Sequence, residues 1–117
     1  LTLSTTAPNV FITTEEFVQE FKDLKDNLIR GYFTIDSDIS RIHVLAESGM
    51  SNEQINLTKN IVSEVLTDAL YTILLGLEGS ASIAQYQIMY KLFDEASNEL
   101  TGNIESIAWE KFHSENA

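Results

Sequence analysis

The sequence predicts a mostly helical α+β domain, with an all-helical bundle as the alternative. Three observations carry this: apolar residues recur at three- and four-residue steps along most of the chain, capping boxes open helices at Thr13 and Ser51, and residues 84–93 alternate with a period near two. Residues 1–12 hold Thr, Ser, the sole proline (Pro8) and no charge, which suits a flexible or extended lead-in. A single compact domain is expected over 13–113, with a frayed tail at 114–117.

The first helix is expected near 14–30. Thr13 and Glu16 can each satisfy a free backbone N–H of the other, Phe17, Phe21, Leu24 and Leu28 form the apolar stripe with Val18 and Ile29 widening it, and Gly31 is the natural stop. A second helix is expected at 38–48, with Ile35, Ile39, Ile42 and Ala46 sharing a face, Asp36 or Ser37 as cap and Gly49 as end. The third, at 52–76, opens on Ser51 and Gln54 and meets no breaker before Gly76. Its first half sets Ile55, Val62, Leu66 and Ala69 against a polar face of Glu53, Asn56, Asn60, Ser63 and Thr67. Ala69–Leu77 is apolar nearly all round, the mark of a helix covered on several sides, and is placed at the centre of the core.

Beyond Gly79, Ala84, Tyr86, Ile88, Tyr90 and Leu92 alternate with Gln85, Gln87, Met89, Lys91 and Phe93. The alternation and the aromatic content favour a strand over a buried helix, and the polar run from Asp94 to Asn98 reads as a hairpin turn into a short return strand at 99–101. Gly102 and Asn103 then start a last helix over 103–113, with Ile104, Ile107, Ala108 and Phe112 inward.

Charge bounds the chemistry. The chain carries 18 Asp plus Glu against 7 Lys plus Arg, a net charge of -11 on 117 residues. A phosphate backbone repels such a surface, so direct nucleic-acid binding is disfavoured. With no cysteine, thiolate metal sites, disulfides and cysteine nucleophiles are ruled out together, which suits a reducing cytoplasm. The apolar stretch Ile61–Leu77 contains Glu64 and Asp68, so a membrane span is not expected. The chain begins at Leu1 without a basic stretch leading into an apolar one, and trimming of its start is expected.

No motif for catalysis, metal or cofactor emerges. His43 and His113 have no metal-ligand spacing, Asp36-Ser37-Asp38 lacks the later ligands and glycine of a calcium loop, and no G-x-S-x-G elbow occurs. Gly76-Leu77-Glu78-Gly79 carries an acid where a phosphate loop needs free amides and a lysine. No enzyme and no cofactor are therefore expected.

What remains is surface. Glu16, Glu20 and Asp23 fall at i, i+4 and i+7 in one like-charged row, and Asp94, Glu95 and Glu99 cluster at the turn. Trp109, at the edge of the last helix's apolar face, supplies an aromatic of the type favoured as an interface anchor. The expected function is a small acidic protein-binding or regulatory protein whose partner is a basic protein, an inhibitor or immunity-type role being one form of it. The alternative is a self-associating homodimer module built on the long third helix and the hairpin edge, and a small hydrolase using His43 or His113 ranks below both.

Overall fold

A computed structural model of the chain describes residues 12–114. All but the last residue of the expected lead-in, and the tail beyond Ser114, lie outside them. The described residues are mostly helical: α1 Thr14–Tyr32, α2 Ile42–Glu47, α3 Asn52–Leu77 and α4 Ile104–His113.

Both capping boxes form. The Thr13 N–H donates to Glu16 Oε1 (2.8 Å) while the Glu16 N–H donates to Thr13 Oγ1 (3.0 Å), and the Ser51 N–H donates to Gln54 Oε1 (2.8 Å) while the Gln54 N–H returns to Ser51 Oγ (3.1 Å). Gly31 does not stop α1, which continues to Tyr32. A Cβ at Gly31 would stand 2.6 Å from Ile39 Cδ1, so the glycine makes room for a side chain rather than ending the helix.

The chain groups into two compact units, one taking in the residues up to Phe21 and from Tyr71 onward, the other Lys22–Leu70. The first unit holds the buried core: Val18 from α1, Leu74 and Leu75 from the last turns of α3, Leu100 before α4, and Ile104, Ala108 and Phe112 along one face of α4. Gly76 is buried there too, and a Cβ on it would collide with Ile83 Cγ1, so the chain leaving α3 folds back against the bare glycine backbone.

The hairpin expected at 84–101 is not formed, and among the described residues pairing is limited to two isolated antiparallel bridges, Glu78 with Met89 and Phe93 with Glu99. The reversal at 94–98 is present, held by Asp94 N–H to Asn98 O (3.0 Å) and Leu100 N–H to Leu92 O (2.7 Å). The ladder fails to extend because the outgoing segment spends its hydrogen bonds elsewhere. Tyr90 N–H donates to Leu77 O (3.0 Å) and Leu92 N–H to the Thr101 hydroxyl (3.3 Å), while the Gln87 side chain ties the segment to Gly79 O (2.8 Å). Pairing with the end of α3 leaves the 99–101 segment without a strand of matching length beside it, and the all-helical alternative fits the result.

In the second unit no residue of Lys22–Leu70 is buried. Leu57, Ile61 and Val65 stand out at four-residue steps on α3, exposed by 59%, 52% and 57%, on the flank opposite the inward side expected for Ile55, Val62 and Leu66. The third helix thus has its full expected length, while its core role is confined to Leu74–Gly76. By length and composition α3 could cross a bilayer: its most apolar 18-residue window has a mean hydropathy of 1.3, and 17% of that window is buried.

The second helix is shorter than expected because residues 36–40 run as successive turns, with Ser37 N–H bonded to Thr34 O and Ser40 N–H to Ser37 O, both at 3.2 Å. Neither Asp36 nor Ser37 caps α2. Its N-cap is Arg41, which donates its N–H to Tyr32 O (2.8 Å) and lays its guanidinium 4.7 Å from the Tyr32 ring centroid, fixing the reversal before the helix can begin. Gly49, at φ +94, ends it as expected.

Candidate interaction surface

Four-residue spacing on α4 places Glu105, Trp109 and His113 in one row that flanks the buried row of Ile104, Ala108 and Phe112. Trp109 is 55% exposed, yet it is not loose. Its indole stacks on the His113 ring (centroids 4.9 Å apart, planes at 22°), and His113 meets the edge of Tyr71 from α3 at 4.4 Å and 82°. Tyr71, Glu105, Ser106 and Trp109 line a hollow of about 380 Å³. Burial of the phenol, and then the negative charge of Glu105, push Tyr71 above the usual tyrosine range, so the ring presents a neutral hydroxyl there.

A second hollow shares two wall residues with the first. Glu105 and Ser106 also border a depression of about 320 Å³ with Glu78, Met89 and Gly102. The side chains exposed along 83–93 add Ile83, Tyr86, Ile88, Met89, Tyr90 and Phe93 to the apolar surface of the same unit. Glu78 is already committed. Its Oε1 accepts the N–H groups of Gly102 and Ile104 (both 2.8 Å) and its Oε2 that of Glu105 (2.9 Å), so a carboxylate at the end of α3 caps the N-terminus of α4. Asn103, at the N-cap position, makes no side-chain bond of this kind.

The acids singled out by spacing divide into those with structural work and those facing water. Glu16 serves the capping box of α1, and with Glu20, Ile12 and Gln19 it borders a shallow hollow of about 380 Å³; Asp23 lies further along α1 and is exposed. Asp94 is the organiser of its turn: Oδ1 accepts the N–H groups of Ala96 and Asn98 (both 2.9 Å), and Oδ2 accepts the Asn98 amide (3.2 Å) and the Ile12 N–H (3.3 Å). The Ile12 bond brings the turn and the Glu16–Glu20 hollow together on one unit. Glu95 is exposed at the turn's tip, and Glu99 accepts a hydrogen bond from the Thr101 hydroxyl (2.9 Å). Trp109 belongs to the separate neighbourhood of Tyr71, Glu105 and His113.

Desolvation alone would raise the Asp94 carboxyl, but hydrogen bonds from Asn98, Ile12 and Ala96 outweigh it and hold the group below the usual carboxylate range. Since the folded value lies below the unfolded one of about 3.9, the stabilisation is complete above that pH and is lost as pH falls through the folded value. Amide chemical shifts of Ala96 and Asn98 should therefore hold steady down to about pH 4 and move below it, and Asp94→Asn should abolish that acid-dependent change.

Among the described residues no three His, Asp or Glu side chains gather as a metal site would require, and His43, which is exposed, does not belong to the same unit as His113. From the sequence, Tyr71, Glu105 and His113 were not expected in an interaction surface, and Glu78 was not expected to cap a helix. The row on α4 was legible as 105, 109, 113; the Glu78 cap joins residues 26 positions apart and leaves no local signal. No family model, no curated protein and no solved structure matches this chain.

Proposed function

We propose that the chain is a protein-binding module for a basic protein, with the Trp109–Tyr71–Glu105 hollow as its anchor point and no chemistry of its own. The observation that carries this reading is Trp109: 55% exposed, yet held by its stack on His113 above a hollow bordered by a carboxylate. A rigid aromatic offered to solvent loses little freedom on binding, and tryptophan leads the residues that dominate interface energetics. The net charge of -11 supplies attraction and orientation toward a cationic surface.

Affinity capture on the immobilised full chain tests it. The retained protein should be basic, should elute as salt rises from about 50 mM to 500 mM, and should be recovered about tenfold less on Trp109→Ala. Retention that ignores both salt and the Trp109 substitution would refute the proposal. A second reading, a homodimer, draws support from one observation: Leu57, Ile61 and Val65 form an exposed apolar row on a unit with no buried residue. Sedimentation over a hundredfold concentration range separates the two, because a persistent monomer removes the dimer.

A further inference from the structure

The scarce cations of this acidic chain are not distributed evenly. Of its 7 Lys plus Arg, three line one hollow of about 280 Å³ in the Lys22–Leu70 unit: Lys25 and Arg30 from α1, and Lys59 from α3. Thr34 and Ser63 border the same hollow with hydroxyls. The one carboxylate on its wall is Asp26, and both of its oxygens are taken by Lys22 Nζ, at 3.0 and 2.9 Å.

With 18 acids available, cations would be expected to pair. Ion pairs form at Lys22–Asp26 and Lys111–Glu15, and neither uses a cation of this hollow. Arg30 donates to the neutral Asn27 Oδ1 (2.9 Å). Burial of the Lys25 ammonium, with the Lys22 charge beside it, pushes its affinity for a proton below the usual lysine range, and Asp26 offsets only part of this. The hollow therefore carries three cations against one carboxylate that is itself bonded to Lys22.

We infer that this hollow is a binding site for a phosphate-class oxyanion, with Lys25, Arg30 and Lys59 as its charged donors and the Thr34 and Ser63 hydroxyls as neutral ones. The chemistry fits: a tetrahedral dianion accepts several hydrogen bonds at once, arginine supplies a planar pair of donors and lysine a compact charge. The overall negative charge does not forbid it. At physiological ionic strength fields are screened within about 8 Å, so the nearest charges decide, and on the wall of this hollow three cations outnumber the one carboxylate. This site is independent of the partner-binding proposal, since it uses neither Trp109 nor the surface acids.

The test uses the full chain and inorganic phosphate. Backbone amide spectra are followed as sodium phosphate is added at constant ionic strength, with sodium chloride as the reference titration. Saturable shifts confined to residues around Lys25, Arg30, Thr34, Lys59 and Ser63 are expected, with half-saturation at millimolar phosphate. Lys59→Gln and Arg30→Gln, both at exposed positions and so harmless to the fold, should each weaken binding about fivefold, and Lys91→Gln, a cation outside the hollow, should leave it unchanged. Phenyl phosphate separates the two sources of the group: binding as tight as that of the free ion indicates a phosphoryl group carried on another molecule, and exclusion indicates the inorganic ion. Shifts identical in phosphate and chloride, or a loss on Lys91→Gln equal to that on Lys59→Gln, would overturn the site.

Discussion

Leu74→Ala is expected to destabilise the protein by about 2–5 kcal/mol, read as a marked fall in the urea midpoint at unchanged slope. Leu74 is 0% exposed at the start of the Leu74-Leu75-Gly76 run, the most enclosed part of α3. The substitution removes both the transfer energy of the lost carbons and the contacts of the atoms left around a cavity. A core of few buried side chains has little capacity to collapse around that cavity, so the upper part of the range is expected. Against a typical domain stability of about 5–15 kcal/mol this is a large fraction. Leu57→Ala, on the exposed flank of the same helix, should change stability by no more than about 0.5 kcal/mol. Equal losses at the two positions would mean that the core does not sit at the end of α3.

Glu78→Ala carries the second large effect. The carboxylate accepts the N–H groups of Gly102, Ile104 and Glu105 at 2.8–2.9 Å, three charge-assisted bonds at the positive end of α4. Water can reach two of the three donors after truncation, which limits the cost to about 2 kcal/mol. Glu78→Gln keeps one carbonyl oxygen but no charge, and should cost about half as much. The measurement that isolates the mechanism is amide exchange in α4: protection of residues 104–108 should fall in Glu78→Ala well beyond the change in global stability. Unaltered exchange there would show that the cap contributes no stability.

Helical periodicity and caps were legible in the sequence because both are local. Thr13 with Glu16, Ser51 with Gln54 and the positive-φ Gly49 each act within one turn of chain, and α1 and α3 begin where the two capping boxes placed them. Residues 84–93 misled because a period of two shows which side chains would alternate in a strand, without supplying the neighbour that a strand needs. At Met89 and Tyr90 that neighbour was the end of α3, and the return segment at 99–101 pairs only with Leu92 and Phe93. Gly31 misled for a related reason: its role is to clear space for Ile39, a tertiary demand that looks like a helix terminator in one dimension. The site was legible in part. Trp109 stood out by residue type, whereas Tyr71 was hidden in an apolar run, and Asp94, chosen for its charge, proved to hold its own turn together.

The Glu78 cap also orders events during synthesis. A ten-residue helix such as α4 is too short to persist unaided in water. The group that steadies it lies 26 positions earlier, so the ribosome delivers the cap long before the helix it serves. Until the intervening loop closes, the 104–113 segment remains a nascent, flickering coil, and the apolar face of Ile104, Ala108 and Phe112 joins the interior after the cap that it needs.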